Sequence, residues 1–159
     1  MQGRGGHQKM WFTSETGSYT LRKPTDGEKS RITEAKQVAN DAIRARRQRL
    51  QRGIKLCERS GAFTEARALE KRLNNLKRVT GLPVLVTVNG AAVCVDYEML
   101  QTIERTLKRF PVRKLTASPG ALAIDYAAGD HRGTLKLNQL QAYQDGLLRD
   151  LPTIEVMRA

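Results

Sequence analysis

Residues 82–96 read LPVLVTVNGAAVCVD and carry the strongest local structural signal in the chain. Val84, Val86 and Val88 alternate up to Asn89-Gly90, and Ala91, Val93 and Val95 alternate beyond it. A side-chain period of two belongs to a strand with one buried face. Asn-Gly enters the left-handed region at little cost, so the two runs read as a hairpin closed by a type I′ turn.

Downstream of the hairpin, Asp96 can cap a helix running to Phe110, with Leu100, Ile103, Leu107 and Phe110 as its stripe and Pro111 as its stop. Three short strands follow, at about 113–117, 121–127 and 133–137. Ser118-Pro119-Gly120 suits a type II turn, and Ala128–Arg132 supplies the second connection. Asn138 can cap a last helix to about Arg149, leaving Pro152 and Met157 in a tail. The order ββαβββα implies one antiparallel sheet with helices on one face. From Tyr97 onward, αβββα resembles the topology of the double-stranded-RNA-binding domain, although NQLQAYQD stands where that family carries lysines. Preceded by a strand, the same order also resembles the ribosome-hibernation type of fold, again in topology only.

Upstream, the period changes to that of helices. Thr25 and Glu28 have the spacing of a capping box. From there to about Arg59, the residues Ile32, Ala35, Ala39, Ile43, Leu50, Ile54 and Cys57 recur at helical spacing as one narrow apolar stripe. Gly53 weakens this helix by up to about 1 kcal/mol relative to Ala. Ser60-Gly61 breaks the chain, and a second helix is expected from about Ala62 to Val79, on Ala62, Ala66, Leu69, Leu73 and Leu76. So tight a turn makes the two helices antiparallel. Their expected lengths differ by about 20 Å at 1.5 Å per residue, so the first half of the long helix needs another partner. The candidates are the C-terminal module, residues 1–27 or a second copy of the chain. Residues 1–27, rich in Gly, Ser and Thr, read as a flexible or partner-docked arm that still contains Trp11, Phe12, Tyr19 and Leu21. The expected fold class is α+β: an N-terminal basic antiparallel helical hairpin followed by a small ββαβββα antiparallel-sheet module. The boundaries fall at 1–27, 28–81 and 82–159.

The 159 residues are 40% hydrophobic and 28% charged, in the globular range. Leu82 to Val88 is the longest apolar run and is too short to cross a bilayer. The beginning MQGRGGHQKMWF lacks the apolar core of a signal peptide, so a cytoplasmic or nucleoid location is expected. Cys57 and Cys94 have neither ligand nor disulfide spacing. Asp125, Asp130 and His131 beside Arg132 come closest to a catalytic cluster, yet Gly129, Asp130 and Gly133 are also what a hairpin loop requires. His7 lies in the glycine-rich arm. No P-loop, GxGxxG or zinc pattern occurs, so no catalytic residue, metal or cofactor is expected, and the chain reads as a non-enzyme.

Charge is the remaining lead. The chain carries 28 Lys and Arg against 16 Asp and Glu, a net of +12. Residues 28–79 alone hold fifteen against six, a net of +9. Arg44, Arg47, Lys55 and Arg59 lie off the apolar stripe of the long helix, with Arg46, Arg49 and Arg52 on its flanks. Arg67, Lys71 and Arg78 lie opposite the stripe of the second helix. Rigidly spaced guanidinium groups suit phosphate oxygens, which points to nucleic acid as the partner. Phe63, Tyr97, Phe110, Tyr126 and Tyr143 read as core residues, leaving few aromatics to stack on single strands. Duplex or folded RNA gripped by its backbone is therefore the expected target, with DNA equally open. The alternative is an assembly subunit of a larger nucleoprotein or viral complex, docking or self-associating through Trp11, Phe12 and the 28–43 helix. No membrane partner is expected.

Overall fold

The computed structural model describes residues 9–14 and 17–158, with side chains from 19 to 112 and from 114 to 157. His7, and the side chains of Trp11 and Phe12, lie outside the described residues. The chain is mixed helix and sheet, with a long early helix followed by small sheets. In order it runs β1 (Lys9–Ser14), β2 (Gly17–Arg22), α1 (Asp26–Arg59), α2 (Phe63–Asn74), β3 (Pro83–Val88) and β4 (Ala91–Asp96). Then come α3 (Tyr97–Thr106), β5 (Val112–Ser118), β6 (Ala121–Ala128), β7 (His131–Asn138), α4 (Gln141–Gln144), β8 (Thr153–Glu155) and β9 (Met157–Arg158).

α1 begins where its sequence places it. Thr25 Oγ1 accepts from the Glu28 backbone N–H at 3.2 Å, and Glu28 Oε1 accepts from the Thr25 N–H at 2.9 Å. The reciprocal pair satisfies backbone donors that a helix start leaves without intrahelical partners. Arg22 clamps the same glutamate from β2 with both guanidinium nitrogens, at 2.6 and 2.9 Å, and also reaches the Thr153 carbonyl of β8.

Ile32, Ala35, Ala39 and Ile43 of the first half of α1 are buried in one core with Tyr19, Leu21, Val84, Val86, Leu100, Leu122, Ile124 and Ile154. The body of the protein, β2 included, is thus the partner of the overhanging helix. The second half packs on α2, and Gly53 marks the close approach. A Cβ there would stand 3.1 Å from Leu69 Cδ1, so glycine serves packing at the place where helix propensity counts against it.

α2 stops at Asn74, five residues short of the expected Val79. Backbone groups beyond it find partners on α1 instead of on α2. Asn40 Nδ2 donates to the Val79 carbonyl at 3.1 Å while its Oδ1 accepts from the Val79 N–H at 2.8 Å. Lys36 Nζ donates to the Gly81 carbonyl and Arg47 to the Leu76 carbonyl, at 2.7 and 3.2 Å. Residues 75–81 therefore run back along α1 as a strap, and Val79 is buried. These bonds replace the last turns of the expected helix.

β3 and β4 pair from Pro83↔Asp96 to Val88↔Ala91, with Asn89 at φ 50° and Gly90 at φ 84°, as the type I′ turn requires. Beyond this hairpin the arrangement departs from a single antiparallel sheet. Among the described residues the strands form three three-stranded sheets, ordered β1-β2-β9, β4-β3-β8 and β5-β6-β7. The expected tail supplies β8, parallel to β3, and β9, antiparallel to β2. The other edge of β4 is met by Gln139 and Leu140: the Gln139 side-chain oxygen accepts from the Cys94 N–H, and the Leu140 N–H donates to the Cys94 carbonyl. A buried edge left open would strand those backbone groups.

Two further helices are shorter than their periodicity suggests. α3 is capped by Asp96 but ends at Thr106; Leu107 is still buried, whereas Phe110 is exposed. α4 is one turn, capped by no side chain, because Asn138 is taken up in β7 and Gly146, at φ 75°, follows the turn. Phe63, a core residue by the sequence reading, is instead 60% exposed at the start of α2.

Candidate functional site

The charged hairpin presents its cations in two settings. Arg44, Arg52, Lys55 and Arg59 recur in steps of eight, three and four, which places them on one side of α1. All four are exposed, as are Arg67 and Lys71 of α2, Arg78 of the strap, and Arg47 and Arg49. Carboxylates do little to neutralise them. Among the described residues, Arg44 is the one member of the ten expected binding residues with a carboxylate within 4 Å, from Asp41 at 3.9 Å. At that separation on an exposed face the pair contributes little.

Arg46 is placed differently from the flank position expected of it. The series Ile32, Ala35, Ala39, Ile43, Arg46, Leu50, Ile54, Cys57 advances in steps of three and four. Arg46 is its one charged member, and it is partly buried. It sits where α1 passes from the core of the body to the packing of the hairpin. There the chain opens a groove of about 580 Å³ bounded by Arg46, Arg72, Lys77 and, on the α4 side, Gln141 and Asp145. Arg49 borders an adjoining hollow beside Arg46, Leu50 and Arg72.

Arg72 and Lys77 fall outside the ten residues that the sequence reading selects. Arg72 follows Leu69 by three and precedes Leu76 by four, so spacing alone could have placed it beside the stripe. For Lys77 spacing gives no such signal, because it reaches the groove only through the strap that interrupts the expected helix. Lys55, Arg59, Arg67, Lys71 and Arg78 do not line this groove.

The cluster near the β6–β7 turn is arranged as a hairpin requires. Asp125 Oδ1 accepts from Thr134 Oγ1 across the strands at 2.7 Å, while Asp130 and His131 are exposed at the turn. The Tyr126 ring covers Gly133, where an added Cβ would fall 2.5 Å from the ring. Cys94 is fully buried, and burial pushes its thiol up to about 12. Among the described residues, no three of His, Cys, Asp and Glu converge where they could hold a metal ion, and no helix is long and apolar enough to cross a membrane. No protein-family model, curated protein or solved structure matches the chain.

Proposed function

We infer that this chain is a nucleic-acid-binding protein that grips phosphates through its basic helical hairpin and catalyses no reaction. The observation that carries this reading is the exposed face of Arg44, Arg52, Lys55 and Arg59, which is all but without carboxylate partners among the described residues. Helices fix the spacing of these cations, so an approaching phosphate backbone meets an ordered row rather than a flexible tail. Arg67 and Lys71 extend the same charge onto α2.

Binding of a random duplex, as DNA and as RNA, followed by fluorescence anisotropy over a range of salt, tests the reading. Log affinity should fall steeply with log salt. R44Q/R52Q/K55Q/R59Q should keep α1, because Gln is nearly as good a helix former as Arg, and should flatten the slope by roughly one unit for each phosphate no longer neutralised. R105Q/K108Q/R109Q/K114Q, within residues 80–159, where nine Lys and Arg stand against eight Asp and Glu, should flatten it less. Equal effects of the two sets would refute the assignment to the hairpin.

A protein partner is the second reading, favoured by Leu56 and Phe63, which are 65% and 60% exposed near the turn of the hairpin. Absence of salt-dependent nucleic-acid binding in the unaltered protein would leave this assembly role in its place.

A further inference from the structure

The groove between α1, the strap and α4 has features that the open face of the hairpin lacks. Arg46, Arg72 and Lys77 converge on it from three successive segments, and Arg49 borders its continuation. Among the described residues that line the two hollows, one carboxylate stands against these four cations, that of Asp145, whose Oδ1 already accepts from Gln141 Nε2 at 2.9 Å. None of the four has a carboxylate within 4 Å among the described residues. Cations gathered in this way repel one another, and an anion between them relieves the repulsion. Arg46 feels this most, since it is partly buried at a stripe position.

The shape narrows the class of anion. About 580 Å³ is within the range of small-ligand sites and exceeds what a bare phosphate fills. Leu50 and Leu76 add partly buried apolar surface, suited to the flat body of a sugar or base. The Asp145 side repels phosphate and accepts from hydroxyl or amino donors.

We propose that this groove seats one unpaired nucleotide of the bound nucleic acid, at a loop or a strand end, with its phosphate among Arg46, Arg72 and Lys77 and with Arg49 at the border. The assignment rests on the nucleic-acid reading above. Arginine forks hold the phosphate oxygens, Lys77 supplies a point charge, and the apolar floor and Asp145 take the remainder of the nucleotide.

The test is an NMR titration of the full chain with adenosine monophosphate, adenosine and inorganic phosphate, alongside the duplex measurements. Adenosine monophosphate should shift the amides of residues 46, 49, 72, 76 and 77 saturably, and should bind more tightly than either adenosine or phosphate. R46Q/R72Q should weaken its binding at least about tenfold, the scale of one or two charge-assisted hydrogen bonds removed. R44Q/R52Q/K55Q/R59Q, on the outer face, should leave it nearly unchanged. K77Q, outside any helix, provides a second variant that should also weaken binding, should the arginine pair fail to fold. No saturable shift at the groove, or phosphate binding as tightly as the nucleotide, would overturn the proposal. If duplex binding is nevertheless steeply salt-dependent, the groove assignment alone falls; if neither ligand binds, both readings fall together.

Discussion

Gly81, at φ +74°, lies so close to the Asp96 carboxylate that an added Cβ would overlap it. That carboxylate accepts from the Leu82 N–H at 2.9 Å and from the Glu98 N–H at 3.0 Å, so it joins the end of the strap to the start of α3. Gly81→Ala should therefore cost about 3 kcal/mol, from left-handed strain together with a damaged cap. Gly61→Ala shares the positive φ but meets nothing within 4 Å, and should cost only about 1 kcal/mol. Urea denaturation of the two variants checks the difference; equal costs would show that closeness to Asp96 is not what makes Gly81 necessary. Cysteine accessibility gives a second check at this scale. Cys57 is partly buried and Cys94 fully so, with its thiol held protonated by burial. A thiol reagent should label Cys57 in the folded protein and reach Cys94 only on unfolding, whereas prompt labelling of both would contradict the packing of β4. Asn89-Gly90 is legible in sequence because a turn is decided by its own residues. The need for glycine at position 81 is not legible in the same way, since its partner Asp96 lies fifteen residues away and is found through packing.

At the scale of elements, the start of α1 joins local and distant interactions on one side chain. Hydrogen bonding from Arg22 holds the Glu28 carboxyl down to about 2, from an ordinary 4.5, with the Thr25 backbone bond adding to the effect. A carboxylate whose folded pKa is depressed stabilises the fold above its unfolded pKa and loses that contribution as pH falls toward the folded value. Stability should thus decline between about pH 4.5 and pH 2 through this group. Glu28→Gln should be less stable at neutral pH and show a shallower decline over that window, as measured by urea midpoints at several pH values. Parallel curves for the two proteins would assign the acid sensitivity elsewhere. The capping box is legible because Thr25 and Glu28 stand within one helical turn of each other, whereas Arg22 reaches Glu28 only once β2 is in place. The same division explains the helix ends. Periodicity carries α2 to Val79 because Leu76 continues its stripe, whereas Asn40 captures the Val79 backbone and ends the helix sooner. In the candidate groove, Arg46 is visible in sequence as a basic residue, but its partly buried position follows from where α1 exchanges one packing partner for another.

For the whole molecule, β8 and β9 complete two of the three sheets. Ile154 of β8 is fully buried in the common core, so Ile154→Ala should cost about 2–5 kcal/mol through reduced burial and a residual cavity. Thermal or urea unfolding reads this directly, and a cost below about 0.5 kcal/mol, the scale of a surface substitution, would mean that β8 is dispensable. In sequence these residues stand out only as a short segment after Pro152, because three residues cannot display a period and a parallel pairing leaves no turn to recognise. Val84 to Val95 declares its own hairpin, but that Ile154 and Leu21 share its core depends on segments far apart in the chain.

Those distant pairings also set an order of events for folding. The β3–β4 hairpin and the α1–α2 pair close over short loops, but Tyr19 pairs with Arg158 and Thr20 with Met157. Closing a loop of that length sacrifices chain entropy before any native interaction compensates for it, and such topologies fold slowly. Helix formation should therefore precede completion of the β1-β2-β9 sheet, and a folding chain should pass through a stage in which the charged hairpin already exists while the core beneath it is still open.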